Sequence, residues 1–284
     1  MRLVRYRGPR GERSGVVVEA VGGDRVVDLG VIPLPDLLVA GPAPLRAAID
    51  DGAATAPLLS DLRLEAPVRP GKIICLGYNY RGHVPDGVDP TTDDPDFPDV
   101  FVKTPNTLSG PVDPVRIPEA ADDVDYEGEI AVIIGRRAKD VSTDDALDHV
   151  AGYTILNDVS DRSWQRRQSQ WTMGKCFDGF APLGPWLVTP DEVGDPQDML
   201  VEVLRDGVVT VSQSTATTIF SVAFVVSYLS RVMTLEPGDV ISTGTPQKRP
   251  DAQDAHRPLA PGDSVTVRIE RLGELTTHFI GGPA

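Results

Sequence analysis

Apolar residues along this chain fall mostly into short runs bounded by glycine, proline and charge, the pattern of strands rather than of long helices. Residues 2–6, 15–21 and 25–29 read as strands, and residues 45–50 have the spacing of a short helix. The proline- and glycine-rich segment 66–71 then separates a small N-terminal unit, residues 1–65, from a larger one, residues 66–284, that opens on the apolar run Ile73-Ile74-Cys75-Leu76. In the larger unit, 130–134 and 152–156 read as buried strands, and Ser160 or Asp161 is placed to cap a helix running to about Gln168. Val222, Val225, Val226 and Leu229 recur at helical spacing behind Ser221, a candidate cap, and that helix ends near Met233. Two Pro-Gly-Asp turns, at 237–239 and 261–263, lead into strands at 240–243 and 265–270. The expected class is α+β, mainly β.

One stretch resists this reading. Between His83 and Val100 lie Asp86, Asp89, Asp93, Asp94, Asp96 and Asp99, interrupted by Pro85, Pro90, Pro95 and Pro98. Proline at that density excludes regular structure, so the segment is expected to be an acidic loop, solvated or acting as a mobile lid; the spacing of a calcium loop is absent.

Composition narrows the partners. Acidic residues outnumber basic ones by 42 to 27, for a formal net charge of −15. Nucleic acid and anionic membranes call for concentrated Lys and Arg, so neither is an expected partner. Two cysteines, Cys75 and Cys176, make neither a disulfide framework nor a cysteine-rich zinc site. The start of the chain lacks the apolar run of a signal peptide and no stretch reaches membrane-spanning length, which points to the cytoplasm.

The chemistry concentrates in Asp125-Tyr126-Glu127-Gly128-Glu129-Ile130, followed at once by Ala131-Val132-Ile133-Ile134. On a strand, alternate residues share a side roughly 6 to 7 Å apart, so Glu127 and Glu129 face the same space. Two like charges entering a buried strand are unfavourable unless a cation compensates them, and oxygen-only ligation suits magnesium, with manganese or calcium as substitutes. Asp158 ends the 152–156 strand region and offers a third carboxylate, although an Asx turn or cap is its plainer role. Arg162 and Gln165 share a helix face and together can reach a substrate carboxylate.

At this point the chain resembles the fumarylacetoacetate hydrolase family, metal-dependent enzymes acting on keto acids and their enols. The resemblance runs from Gly71 to about Leu275. It is carried by Gly71-Lys72-Ile73-Ile74-Cys75-Leu76-Gly77-Tyr78-Asn79-Tyr80 with His83, by Asp125 to Glu129, by Gly152-Tyr153-Thr154 with Asn157-Asp158-Val159-Ser160, by Gly174-Lys175-Cys176-Phe177-Asp178, and by Pro237 to Pro246. It implies a rolled mixed β-sheet fold with a small N-terminal domain, usually dimeric. It also implies Glu127, Glu129 and Asp158 as metal ligands and Tyr80, Arg162, Gln165, Lys175 and Thr245 around the substrate, with Lys175 stabilising an oxyanion or enolate.

In hydrolytic members a histidine at the place of His83, with a glutamate three residues on, activates water. Here Asp86 takes the later position, one methylene shorter, and whether it reaches the imidazole is open. Ser163 in place of an acid, and Gln247-Lys248-Arg249 in place of a glycine-rich triplet, are further departures. The expected reaction is hydrolysis of a C–C bond in a β-diketo acid or acylpyruvate. Isomerisation of hydroxymuconate-type dienes, keto-acid decarboxylation, or ligand binding without turnover are the alternatives, because a fold does not choose among them.

Overall fold

The computed structural model describes residues 1–9, 11–39, 42–84, 89, 94–254 and 257–282. Strands dominate and helices are few, as the pattern of short apolar runs requires. The larger sheet follows the path Arg25–Gly30, Gly11–Val18, Arg2–Gly8, Ala181–Val188, Val150–Asn157, Gly128–Ile134, Val240–Ser242, Ile73–Gly77 and Asp99–Lys103. It is mixed, since Val240–Ser242 runs parallel to Ile73–Gly77 while its other neighbour, Gly128–Ile134, is antiparallel to it. The N-terminal strands join this same sheet through Arg2↔Val188 and Leu3↔Leu187. A second sheet is built from Val208–Ser214, Leu200–Arg205, Ser264–Ile269, Gly273–Ile280 and Val115–Arg116.

Gly128–Ile134 lies inside the larger sheet with every residue buried. Ile130, Val132 and Ile134 pack with Val201, Val203, Val265 and Val267 of the second sheet, whereas Ala131 and Ile133 pack on the other side with Leu3, Val16 and Leu187. A strand covered on both faces reads as a continuous apolar run, which is why 130–134 showed no alternation. Gly128 faces Val203 and Val267 of the second sheet at close range. A Cβ there would lie 2.6 Å from Val203 Cγ2 and 2.8 Å from Val267 Cγ1, so the spacer between the two glutamates has to be glycine.

The helix behind Ser221 forms as expected, over Val222–Val232, with the Ser221 hydroxyl accepting from Phe224 N–H. Asp161 is the cap of the helix that follows Asp158, accepting from Trp164 N–H at 2.8 Å. That helix ends at Arg166 rather than near Gln168, and a separate short helix, Thr172–Lys175, follows. The acidic stretch is also shorter than expected: its last residues, Asp99 and Val100, begin the edge strand Asp99–Lys103. Among the described residues no helix is long and apolar enough to cross a membrane.

Candidate active site and metal centre

Glu127, Gly128 and Glu129 lead into the buried Gly128–Ile134 strand, and Asp158 follows the end of its antiparallel neighbour Val150–Asn157. Pairing brings them together: Gly128 is opposite Asn157, and Asp158 N–H donates to the Glu127 carbonyl at 2.7 Å. One carboxylate oxygen from each of Glu127, Glu129 and Asp158 lies within 4.8 Å of the others. Glu129 and Asp158 are almost fully buried.

Cations thread between these acids. Lys175 Nζ is 2.6 Å from both Glu127 Oε2 and Asp158 Oδ2, and Lys103 Nζ is 2.6 Å from Asp158 Oδ1. Arg162 Nη2 donates to Glu127 Oε1 at 2.7 Å and to Asp125 Oδ2 at 3.0 Å, and Lys248 Nζ pairs with the other Asp125 oxygen. The result is one row of seven alternating charges, Lys248, Asp125, Arg162, Glu127, Lys175, Asp158 and Lys103. Among the described residues Glu129 makes no ion pair. One of its oxygens accepts from the Ser242 hydroxyl and from Gly244 N–H at 2.9 Å.

The titration tendencies follow this arrangement. Burial alone would raise Asp125, but Arg162 and Lys248 outweigh it and bring the carboxyl to about 2. Burial is likewise overcome at Glu127, where Arg162 and Lys175 hold the carboxyl well below its usual range. Burial would lower Lys175, yet Asp158 and Glu127 keep its ammonium charged beyond the ordinary lysine range. Glu129 goes the other way, raised by burial and then by the charges of Asp158 and Glu127. It is the one carboxylate of the cluster with no cation in direct contact among the described residues.

Asp125, Glu127, Glu129 and Lys248 line a cavity of about 510 Å³ together with Tyr78, His83, Arg162, Gln165, Lys175 and Thr245, while Asp158 is buried behind them. Tyr78 stands edge-on to both His83 and Trp171, with ring centroids 5.6 and 5.7 Å away, and Trp171 meets Phe101 at 5.4 Å. Gln165 accepts from Arg162 Nη1 at 2.9 Å, so the two share a face, although most of the guanidinium is committed to acids. Tyr80 lies apart from the cavity lining: it is wholly buried, and its hydroxyl has no hydrogen-bond partner among the described groups. Asp86 lies outside the described residues.

Lys103, Asp125, Tyr78, Trp171 and the Ser242–Gly244 contacts were not assigned roles from sequence. Lys103 carried a signal, a lysine closing the apolar run Val100-Phe101-Val102. Asp125 carried another, a third acid in register with Glu127 and Glu129. Nothing local announced the others.

A mixed two-sheet structure whose cavity is lined by carboxylates, arginine and lysine has the form of an enzyme site for small molecules. The sequence model of the fumarylacetoacetate (FAA) hydrolase C-terminal family matches residues 72–280, and the chain belongs to the fumarylacetoacetate hydrolase family. A protein of Burkholderia cenocepacia (strain HI2424), provisionally named a hydrolase, is 44% identical over 96% of this chain and 97% of its own. Among solved structures, 5-carboxymethyl-2-hydroxymuconate delta-isomerase from Mycobacterium smegmatis superposes with a TM-score of 0.81 at 33% identity, covering 99% of this chain and 100% of that one. Maleylpyruvate hydrolase from Sphingobium sp. SYK-6, in complex with manganese(II) and pyruvate, superposes with a TM-score of 0.80 at 30% identity over the full length of both.

Proposed function

We propose that this protein is a divalent-metal-dependent hydrolase cleaving a C–C bond in a small β-diketo acid of the acylpyruvate type. The observation that carries the reading is the meeting, in one cavity, of His83 with Lys175, Glu127 and Glu129, the last two clustered with Asp158. Glu127, Glu129 and Asp158 fit a hard dication: all donors are oxygen, they converge, and Glu129 has no cationic partner among the described residues. Magnesium is the expected ion, with manganese or calcium able to replace it. A manganese ion accompanies the related maleylpyruvate hydrolase. When bound, such an ion supplies Lewis acidity toward a keto oxygen and the neighbouring carboxylate of the substrate.

The chain's own residues do the rest. Arg162 and Gln165 orient the substrate carboxylate, and Lys175, fixed in its charged form, stabilises negative charge developing on the keto oxygen. His83 takes a proton from water as that water adds to the distal carbonyl. The C–C bond then breaks, its electron pair passes to the leaving enolate, and the proton held by His83 returns to the enolate carbon. One carboxylic acid and one 2-keto acid result.

The site also suits a doubly charged substrate. The seven-membered row has four cations against three anions, and Glu129 balances it; a dication raises the local charge to plus two. Isomerisation is the second reading, favoured by the likeness to the M. smegmatis isomerase. Incubation with acylpyruvates in ¹⁸O-water separates the two: hydrolysis gives two fragments with label in the new carboxyl group of the released acid, while isomerisation leaves the carbon skeleton whole and forms no new carboxyl group. Label incorporation that persists when Glu127, Glu129 and Asp158 are all changed to amides would overturn the metal-dependent reading. Residues 1–65 are taken as a small accessory domain on the catalytic unit of 66–284, and the working assembly as a cytoplasmic homodimer, which light scattering tests.

A further inference from the structure

The base proposed above needs one ring nitrogen free of hydrogen, and the structure contains a group that selects which. His83 Nδ1 lies 2.8 Å from the Thr245 carbonyl oxygen. A carbonyl only accepts, so at that distance the ring nitrogen must donate, and in the neutral imidazole the second nitrogen then keeps its lone pair. We propose that the backbone carbonyl of Thr245, rather than an acidic side chain, positions His83 and fixes it as the Nδ1–H tautomer, leaving Nε2 as the proton acceptor. This inference rests on the reading of His83 as the base.

Both ends of the contact are held by hydrogen bonds to the described backbone. On the histidine side, His83 N–H donates to the Tyr80 carbonyl at 3.0 Å and Arg81 N–H to the Thr217 carbonyl at 3.0 Å. The turn passes through Gly82 at φ +90°, a conformation that favours glycine, and the ring rests edge-on against Tyr78. On the carbonyl side, residues 242–245 are fastened to the glutamate strand at successive positions. Ser242 Oγ and Gly244 N–H hold Glu129, Thr243 N–H donates to the Ile130 carbonyl, and Thr245 Oγ1 donates to the Gly128 carbonyl at 3.1 Å. Asn79 Nδ2 adds a bond to the Thr243 carbonyl at 2.9 Å. The segment that grips Glu129 therefore also sets the height of the carbonyl under His83, and the base is placed relative to the carboxylate cluster through one short stretch of backbone.

The test is ¹⁵N NMR of the full-length protein labelled at its four histidines, metal-free and again with Mg²⁺, at a pH where the imidazole is neutral. The His83 signals are identified by their disappearance in His83→Gln. The proposal expects a protonated-type shift at Nδ1 and an unprotonated-type shift at Nε2, unchanged in Asp86→Asn. The opposite tautomer, averaged shifts at the two nitrogens, or a change of tautomer in Asp86→Asn would overturn it. Because the resting protein is observed, the outcome is independent of whether any acylpyruvate is hydrolysed, and a failure of the hydrolase reading is told apart from a failure of this one.

Discussion

Lys175 Nζ lies 2.6 Å from Asp158 Oδ2, and both side chains are almost completely withdrawn from water. The ammonium thus occupies the carboxylates proposed to hold the metal, and its loss should separate chemistry from metal binding. Lys175→Met is expected to lower turnover by about 100-fold or more, as removal of an oxyanion donor does. Mg²⁺ affinity should not fall, since a competing cation has gone. Calorimetry alongside steady-state rates checks both halves; a parallel loss of metal would mean that Lys175 builds the metal site instead.

Lys103 should matter for folding. Its Nζ and the Asp158 carboxylate are both fully buried, and it also donates to the Val159 carbonyl at 2.9 Å. Asp158 keeps Lys175, so Lys103→Met removes one of its two buried cations and should destabilise by about 1.5–3 kcal/mol in urea unfolding, the worth of a hydrogen bond to a charged group. The exposed pair Lys139–Asp140 is the control, and Lys139→Met should cost no more than about 1 kcal/mol.

Metal binding should release a proton from Glu129. This carboxyl is held above its ordinary value of 4.5 by burial and by Asp158 and Glu127, so it keeps its proton in a range where exposed glutamates are ionised. A dication must expel that proton, and affinity should therefore rise with pH above 4.5. Calorimetric titrations in buffers of different ionisation enthalpy measure the release, which Glu129→Gln should abolish together with tight binding.

His83 sets the acid limb of the rate. Burial lowers its value from 6.5, opposed in part by the Thr245 carbonyl, and a neutral ring is the active form. Activity should thus persist as pH falls through 6.5 and be lost only below it. A kcat/KM profile from pH 5 to 8 checks this; His83→Gln should lower the rate by about 100-fold or more and remove the limb.

Lys248 should report on the second substrate charge. Its Nζ pairs with Asp125, sits 4.3 Å from the Tyr126 ring centroid, and lines the cavity. Lys248→Gln should raise KM for acylpyruvates with a distal carboxylate by about 10-fold and leave uncharged-tail analogues nearly unchanged, a loss of roughly 1.4 kcal/mol. Equal effects on both would remove Lys248 from substrate selection.

How far the sequence could be read depended on the range of the interaction. The carboxylates Glu127 and Glu129 were visible because acids directly before Ala131-Val132-Ile133-Ile134 conflict with burial, and Asp158 because it follows a strand. The Ser221 helix was visible because its cap and apolar spacing are local. Lys103 and Lys248 were not, since each meets its acid across long sequence separations, 55 and 123 residues. The contact of His83 with Thr245 spans 162 residues and involves a backbone atom, which no residue pattern encodes. The short helix ending at Arg166 was misjudged because polar residues 167–170 are compatible with either state.

The alternating row from Lys248 to Lys103 also bears on how this protein can change over time. Altering one member takes a counter-charge from each of its row neighbours, whereas losing an adjacent opposite pair together leaves the net count intact. Descendants of this site should therefore vary in complementary pairs along the row or not at all. Substrate preference is freer to drift at uncharged neighbours such as Gln165 and Gln247, where a substitution costs no ionic partner.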